Sequence, residues 1–106
     1  MISDAQVERH LSALRDIGDR CAEARAEYEF ATDMAKTVYA SEYLKSDAPR
    51  TADKEAEALA SENYQNAITR KRDAMIVSEK LRHERAWHER VIDAWQTFSA
   101  NSRGKI

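Results

Sequence analysis

Turn-forming residues are almost missing from this chain: two glycines and one proline in 106 residues. Strand-rich and α/β folds need far more punctuation than that, so β architectures are excluded and a few long helices are expected. Cysteine is nearly absent as well. Cys21 stands alone, which excludes an internal disulfide framework, fits a reducing compartment, and reads as a small buried apolar residue. No long apolar run occurs either; the longest strictly apolar stretch, Ala74 to Val77, is four residues. The opening MISDAQVERH has no basic region ahead of an apolar core. The reading is therefore no secretion signal, no membrane span and a cytoplasmic location.

What is present is charge, at 34% of residues, with a formal net charge of −2. Residues 1–48 hold six Lys/Arg and ten Asp/Glu, residues 49–106 eleven and nine. An acidic first half and a mildly basic second half attract each other in an antiparallel pairing.

Ile2-Ser3-Asp4-Ala5-Gln6-Val7 has the form of a helix start, with Ser3 and Gln6 as a reciprocal cap and Ile2 and Val7 as a hydrophobic staple. Val7, Leu14, Cys21, Tyr28 and Ala35 then recur at sevens, and Ile17, Ala24, Ala31 and Val38 fill the second seam position. Leu11 widens the stripe. This spacing predicts a helix over about 3–46, apolar on one face. Gly18 is its weak point, marking either a kink or a close approach.

Ser46-Asp47-Ala48-Pro49-Arg50-Thr51 is the break, with Thr51 as cap for the next helix. That second helix is expected over about 52–102, its stripe running through Ala56, Ala60, Ala67, Ala74, Leu81, His88 and Trp95, flanked by Val77, Val91 and Phe98. Asn63 and Arg70 interrupt its second seam position, and Gly104 is a stop signal. The expected architecture is a single all-α domain, residues 1–106. It is an antiparallel helical hairpin of two long helices, completing a four-helix bundle by dimerisation because two helices bury only one face each.

No constellation of side chains declares a chemistry. His83 and His88 are five apart and so point about 140° apart, too far round one helix to grip one metal. His10 can approach the end of the second helix, but nothing completes a ligand set. No Ser-His-Asp or Cys-His arrangement and no glycine-rich phosphate loop is present, so neither an enzyme nor a cofactor is expected. Arg70, Lys71, Arg72, Arg82 and Arg85 are the candidate nucleic-acid contacts. Between residues 69 and 90, however, seven basic residues alternate with four acidic ones, and the isoelectric point is about 5.9, which favours a salt-bridged helix face.

The aromatic residues offer the other candidate surface. Trp87 and Trp95 lie eight apart, roughly on one side of the helix, and either cap the open end of the core or, with Phe98, anchor a partner. Phe30, off the main seam, forms a contact surface if it lies exposed beside Tyr39 and Tyr43.

Ala94-Trp95-Gln96-Thr97 followed by Ser99-Ala100-Asn101-Ser102-Arg103, after a long charged helix and a short Pro-containing turn, resembles small helical-hairpin proteins encoded in early and recombination regions of tailed bacteriophages and prophages. In that group an arginine commonly follows the tryptophan and a basic pair closes the motif; Gln96 and Ser102-Arg103 depart from this. The resemblance implies a non-enzymatic protein-interaction module acting in a bacterial host cell, as an accessory to phage recombination or replication. The alternatives it leaves open are an anti-CRISPR-like inhibitor of a bacterial defence nuclease or surveillance complex, a single-stranded nucleic-acid-binding protein, and a structural coiled-coil subunit.

Overall fold

A computed structural model describes residues 2–104, apart from the side chains of residues 103 and 104. All regular structure among them is helical: α1 (Asp4–Lys45), α2 (Thr51–Ala60) and α3 (Glu62–Gly104). None of these helices is long and apolar enough to cross a membrane.

The start of α1 is set by local hydrogen bonding. The Gln6 amide donates to Ser3 Oγ at 3.2 Å and the Ser3 amide to Gln6 Oε1 at 2.8 Å, so two otherwise orphaned donors are satisfied reciprocally. The helix then runs unbroken through Gly18, and no atom lies within 4 Å of where a Cβ on that glycine would sit. Gly18 marks neither a break nor a close approach within the chain.

The chain divides into two compact units, one taking the chain up to Glu23 together with the chain from Glu79 onward, the other Ala24–Ser78. In the first unit the N-terminal part of α1 packs antiparallel on the C-terminal part of α3, with Val7, Ile17 and Leu81 buried. In the second, the remainder of α1 packs antiparallel on the start of α3, and Ala24, Ala31, Ala35, Ala58 and Ala74 are buried. The seam expected along α1 is followed: besides its buried members, Leu14, Cys21, Tyr28 and Val38 are half-buried. Leu11 does not widen it and lies exposed.

The second half of the chain differs from the expected single helix over 52–102. Thr51 is the first residue of α2, not its cap; Arg50 occupies the cap position and makes no side-chain cap bond. Helix α2 ends at Ala60, and Ser61 takes an extended conformation, φ −64° and ψ 145°. Its hydroxyl donates to the Ala58 carbonyl at 2.9 Å and accepts from the Tyr64 amide at 3.1 Å, closing one helix and opening the next. The break lets α2 turn its small face inward. Ala58 is completely buried, Ser46 Oγ hydrogen-bonds Glu57, and the Lys54 ammonium stands 5.8 Å from the centre of the Tyr43 ring.

It also changes which residues of α3 face α1. Ala67, Ala74, Leu81, His88 and Trp95 point inward as expected, but Val77 and Phe98 are exposed, as are Ala56 and Ala60 of α2. Tyr64, Lys71, Ser78 and Ile92 fill the second seam position, one residue along from the expected Asn63, Arg70 and Val77. Lys71 can stand there because its four-carbon stem covers apolar surface while its ammonium reaches water.

Candidate protein-contact surface

Among the described residues the buried apolar set is small in volume: five alanines with Val7, Ile17 and Leu81. The bulky apolar side chains lie outside it. Phe30, Met34, Leu44, Leu59, Met75, Ile76, Val77, Trp87 and Phe98 all exceed one third exposure. Alanine lets the paired helices approach closely, and that leaves the larger side chains on the outer faces.

In the unit that holds both tryptophans, the two rings have different surroundings. Eight residues at 100° each leave Trp95 about 80° round the helix from Trp87, enough to turn one ring inward and the other out. Trp95 is half-buried, and with Ile2, Ala94 and Phe98 it lines an apolar notch of 140 Å³. Trp87 is 59% exposed and Phe98 48%. Trp87, Val91, Ala94 and Phe98 are spaced four, three and four apart, so they fall within an arc of about 60° and form one apolar stripe along α3.

The same unit brings His10 and His88 together, Nδ1 to Nδ1 at 2.7 Å with ring centroids 4.9 Å apart. One ring donates and the other accepts, so the contact holds a single proton. Glu84 Oε1 lies 4.0 Å from His88 Nε2, on the far side of that ring. His83 points away from this pair into solvent and faces Glu79 at 4.0 Å. No group of three or more His, Cys, Asp or Glu among the described residues is arranged to hold a metal ion.

The second unit holds the other candidate aromatics. Phe30 is half-exposed, but the Arg70 guanidinium lies 5.2 Å from its ring centre while also donating to Glu27 Oε1 at 2.8 Å. The cation thus stands over the ring while its carboxylate partner holds it. Tyr39 and Tyr43 do not extend this surface. Both are half-buried, with ring centroids 6.4 Å apart, and Tyr39 packs edge-on against Tyr64 at 5.6 Å. They line the corner that α2 covers. Burial pushes the Tyr39 hydroxyl above its ordinary range, with Glu55 and the neighbouring tyrosines adding to the shift. Glu42 is held below the usual carboxylate range first by the hydrogen bond from Asn63 Nδ2 at 2.9 Å, and further by Lys45. An open groove of 310 Å³ runs beside Tyr39 and Tyr64, floored by Ala35 and Ile68 and edged by Lys71.

The candidate nucleic-acid residues are drawn into ion pairs or packing. Arg70 engages Glu27, Arg72 lies 3.9 Å from Asp73, Arg82 is 3.6 Å from Glu79, and Arg85 is 3.0 Å from Glu89. Lys71 is half-buried in the seam. An acid beside four of the five cations dilutes the positive footprint that backbone phosphates require.

Sequence reasoning misses the Ser61 cap, whose signal is a serine standing between two alanine-rich periodic segments. It also misses Asn63, whose bond to Glu42 joins elements 21 residues apart. No family model matches the chain, and no match was found among curated proteins or among solved structures.

Proposed function

We propose that this chain is a non-enzymatic helical module that works by binding protein through the outer face of α3, with Trp87 and Phe98 as the anchoring rings. One observation supports this reading above the others: Trp87 and Phe98 stand about half exposed on α3, while five of the eight buried apolar residues are alanines. Exposed aromatic residues flanked by apolar neighbours are the side chains that dominate binding energy when a partner desolvates them. The accessory role in phage recombination or replication rests on the pattern from Ala94 to Arg103 alone; the anti-CRISPR-like inhibitor is the alternative, with the same surface and a different partner.

The test is direct binding, by calorimetry, to a purified phage single-strand annealing recombinase, a bacterial single-strand-binding protein and a CRISPR surveillance complex. The expected result is binding to one of these that Trp87→Ala weakens about 30-fold or more without loss of helicity. Retention of single-stranded DNA that falls steeply with salt, with none of the proteins bound, would replace this reading by nucleic-acid binding.

A further inference from the structure

We infer that the His10–His88 contact is a proton-sensitive latch: it ties α1 to α3 while the two imidazoles share one proton between them, and acid opens it once both rings are charged.

The two residues lie 78 positions apart, and the antiparallel packing of α1 on α3 brings Nδ1 within 2.7 Å of Nδ1. The ring planes are tilted by 55° with centroids 4.9 Å apart, so the rings meet at their nitrogens rather than stacking face on face. Each Nδ1 is either a donor or an acceptor, and the contact requires one of each. Among the described residues it is also the one hydrogen bond that joins α1 to α3 in its compact unit; the bonds of Arg70 to Glu27 and of Asn63 to Glu42 lie in the other. Only Val7, Ile17 and Leu81 are fully buried apolar side chains here, so little apolar burial offsets the loss of that tie.

The surroundings set the direction of the bond. Glu84 Oε1 stands 4.0 Å from His88 Nε2, one turn earlier on α3, and its carboxylate favours a hydrogen on that nitrogen. His88 Nδ1 is then left to accept and His10 Nδ1 to donate. From α1 the charged group that faces the pair is Arg9, which with Gln6 and both rings lines an open hollow of 290 Å³. Its Nε donates to the Ala5 carbonyl at 3.4 Å, which holds the guanidinium to its own helix, and its charge opposes further positive charge on the rings. Water enters the open hollow, so protons reach the pair from solvent.

The first proton added and the second act differently. The first goes to His10 Nε2 and leaves the His10 Nδ1–H facing a lone pair, so the contact survives. The second can go only to His88 Nδ1, which sets N–H against N–H and positive charge against positive charge. In the unfolded chain the same two rings take up both protons independently. With the latch closed the folded chain therefore binds fewer protons in acid than the unfolded chain does, and stability falls as pH drops below the imidazole range of about 6.5.

A double-mutant cycle of His10→Gln and His88→Gln, read by urea unfolding of the full chain from about pH 8 to about pH 4.5, cancels the titration of every group outside the pair. The coupling is expected to favour the folded state about 5-fold at the upper end, the size of one ordinary hydrogen bond, and to vanish or reverse at the lower end. Hydrogen exchange over the same range locates the effect. Amides of residues 4–23 and 79–102 are expected to lose protection in acid relative to those of 24–78, and His10→Gln to remove that difference. A coupling absent at the upper end, or unchanged across the range, overturns the inference, as does protection lost equally in the two units.

Discussion

Replacing Gly18 by alanine separates a glycine that is needed from one that is merely present. The residue lies inside α1, has no positive φ, and an added Cβ meets no atom within 4 Å. Steric cost is therefore absent, and only helix propensity and the freedom of the unfolded chain remain. Those favour alanine by about 0.5–1 kcal/mol. With an unfolding entropy of about 2.1 cal/mol/K per residue, a chain of 106 residues gains roughly 2–4.5 °C in melting temperature. Urea unfolding and thermal melts followed by circular dichroism read this directly, at fixed protein concentration because association adds to apparent stability. An unchanged urea m-value with a raised midpoint is the expected pattern. A lowered midpoint would mean that some backbone or side chain, including one from a second chain, occupies the space beside Gly18, and the prediction would fail.

The other consequences concern packing, capping and charge. Ile17 is 2% exposed, so Ile17→Ala should cost about 2–5 kcal/mol in urea unfolding, whereas Trp87→Ala should stay within about 0.5 kcal/mol when measured on monomer. Ser61→Ala removes both hydroxyl bonds at the α2–α3 break and should cost about 1 kcal/mol, read from the same unfolding curves. Glu42 has its folded-state pKa depressed below 4.5, chiefly by Asn63, so its contribution to stability is present above the ordinary glutamate range and is lost as pH falls through the depressed value. Asn63→Ala should flatten that acid limb of the stability–pH curve by lowering stability above the ordinary glutamate range while leaving it unchanged below the depressed value; an unaltered acid limb would contradict the assignment.

The parts of this fold that are legible in the sequence are those decided within a few residues. Ser3 and Gln6 close a loop of hydrogen bonds three residues apart, and the sevenfold recurrence from Val7 to Ala35 needs only one helical period to interpret. The break at Ser61 is of another kind. The segment around it is rich in alanine and acids with no glycine or proline, so local propensity favours one continuous helix. The interruption allows Ala58 to be buried and α2 to cover Tyr43, both gains made against residues distant in sequence. Tyr39 and Tyr43 change from surface candidates to packed rings for the same reason.

The tryptophans show the limit of periodicity most clearly. An offset of about 80° is compatible with a shared face or with two different ones. Trp95 turns inward, where Ile2, Ala94 and Phe98 complete a notch with it, whereas Trp87 stands 59% exposed on the outside. Which of two adjacent helical faces meets α1 depends on the register of α3. Tyr64 and Ile92 set that register, and Asn63 and Val77 are left outside it.

The proposed function turns on whether the outer face of α3 is covered by a protein partner. The decisive measurement is calorimetric titration of the wild-type chain beside Trp87→Ala with the annealing recombinase, the single-strand-binding protein and the surveillance complex. Binding to one of the three is expected in the wild type, weakened about 30-fold or more in the variant. Equal binding by the two chains, or none by either, would contradict it.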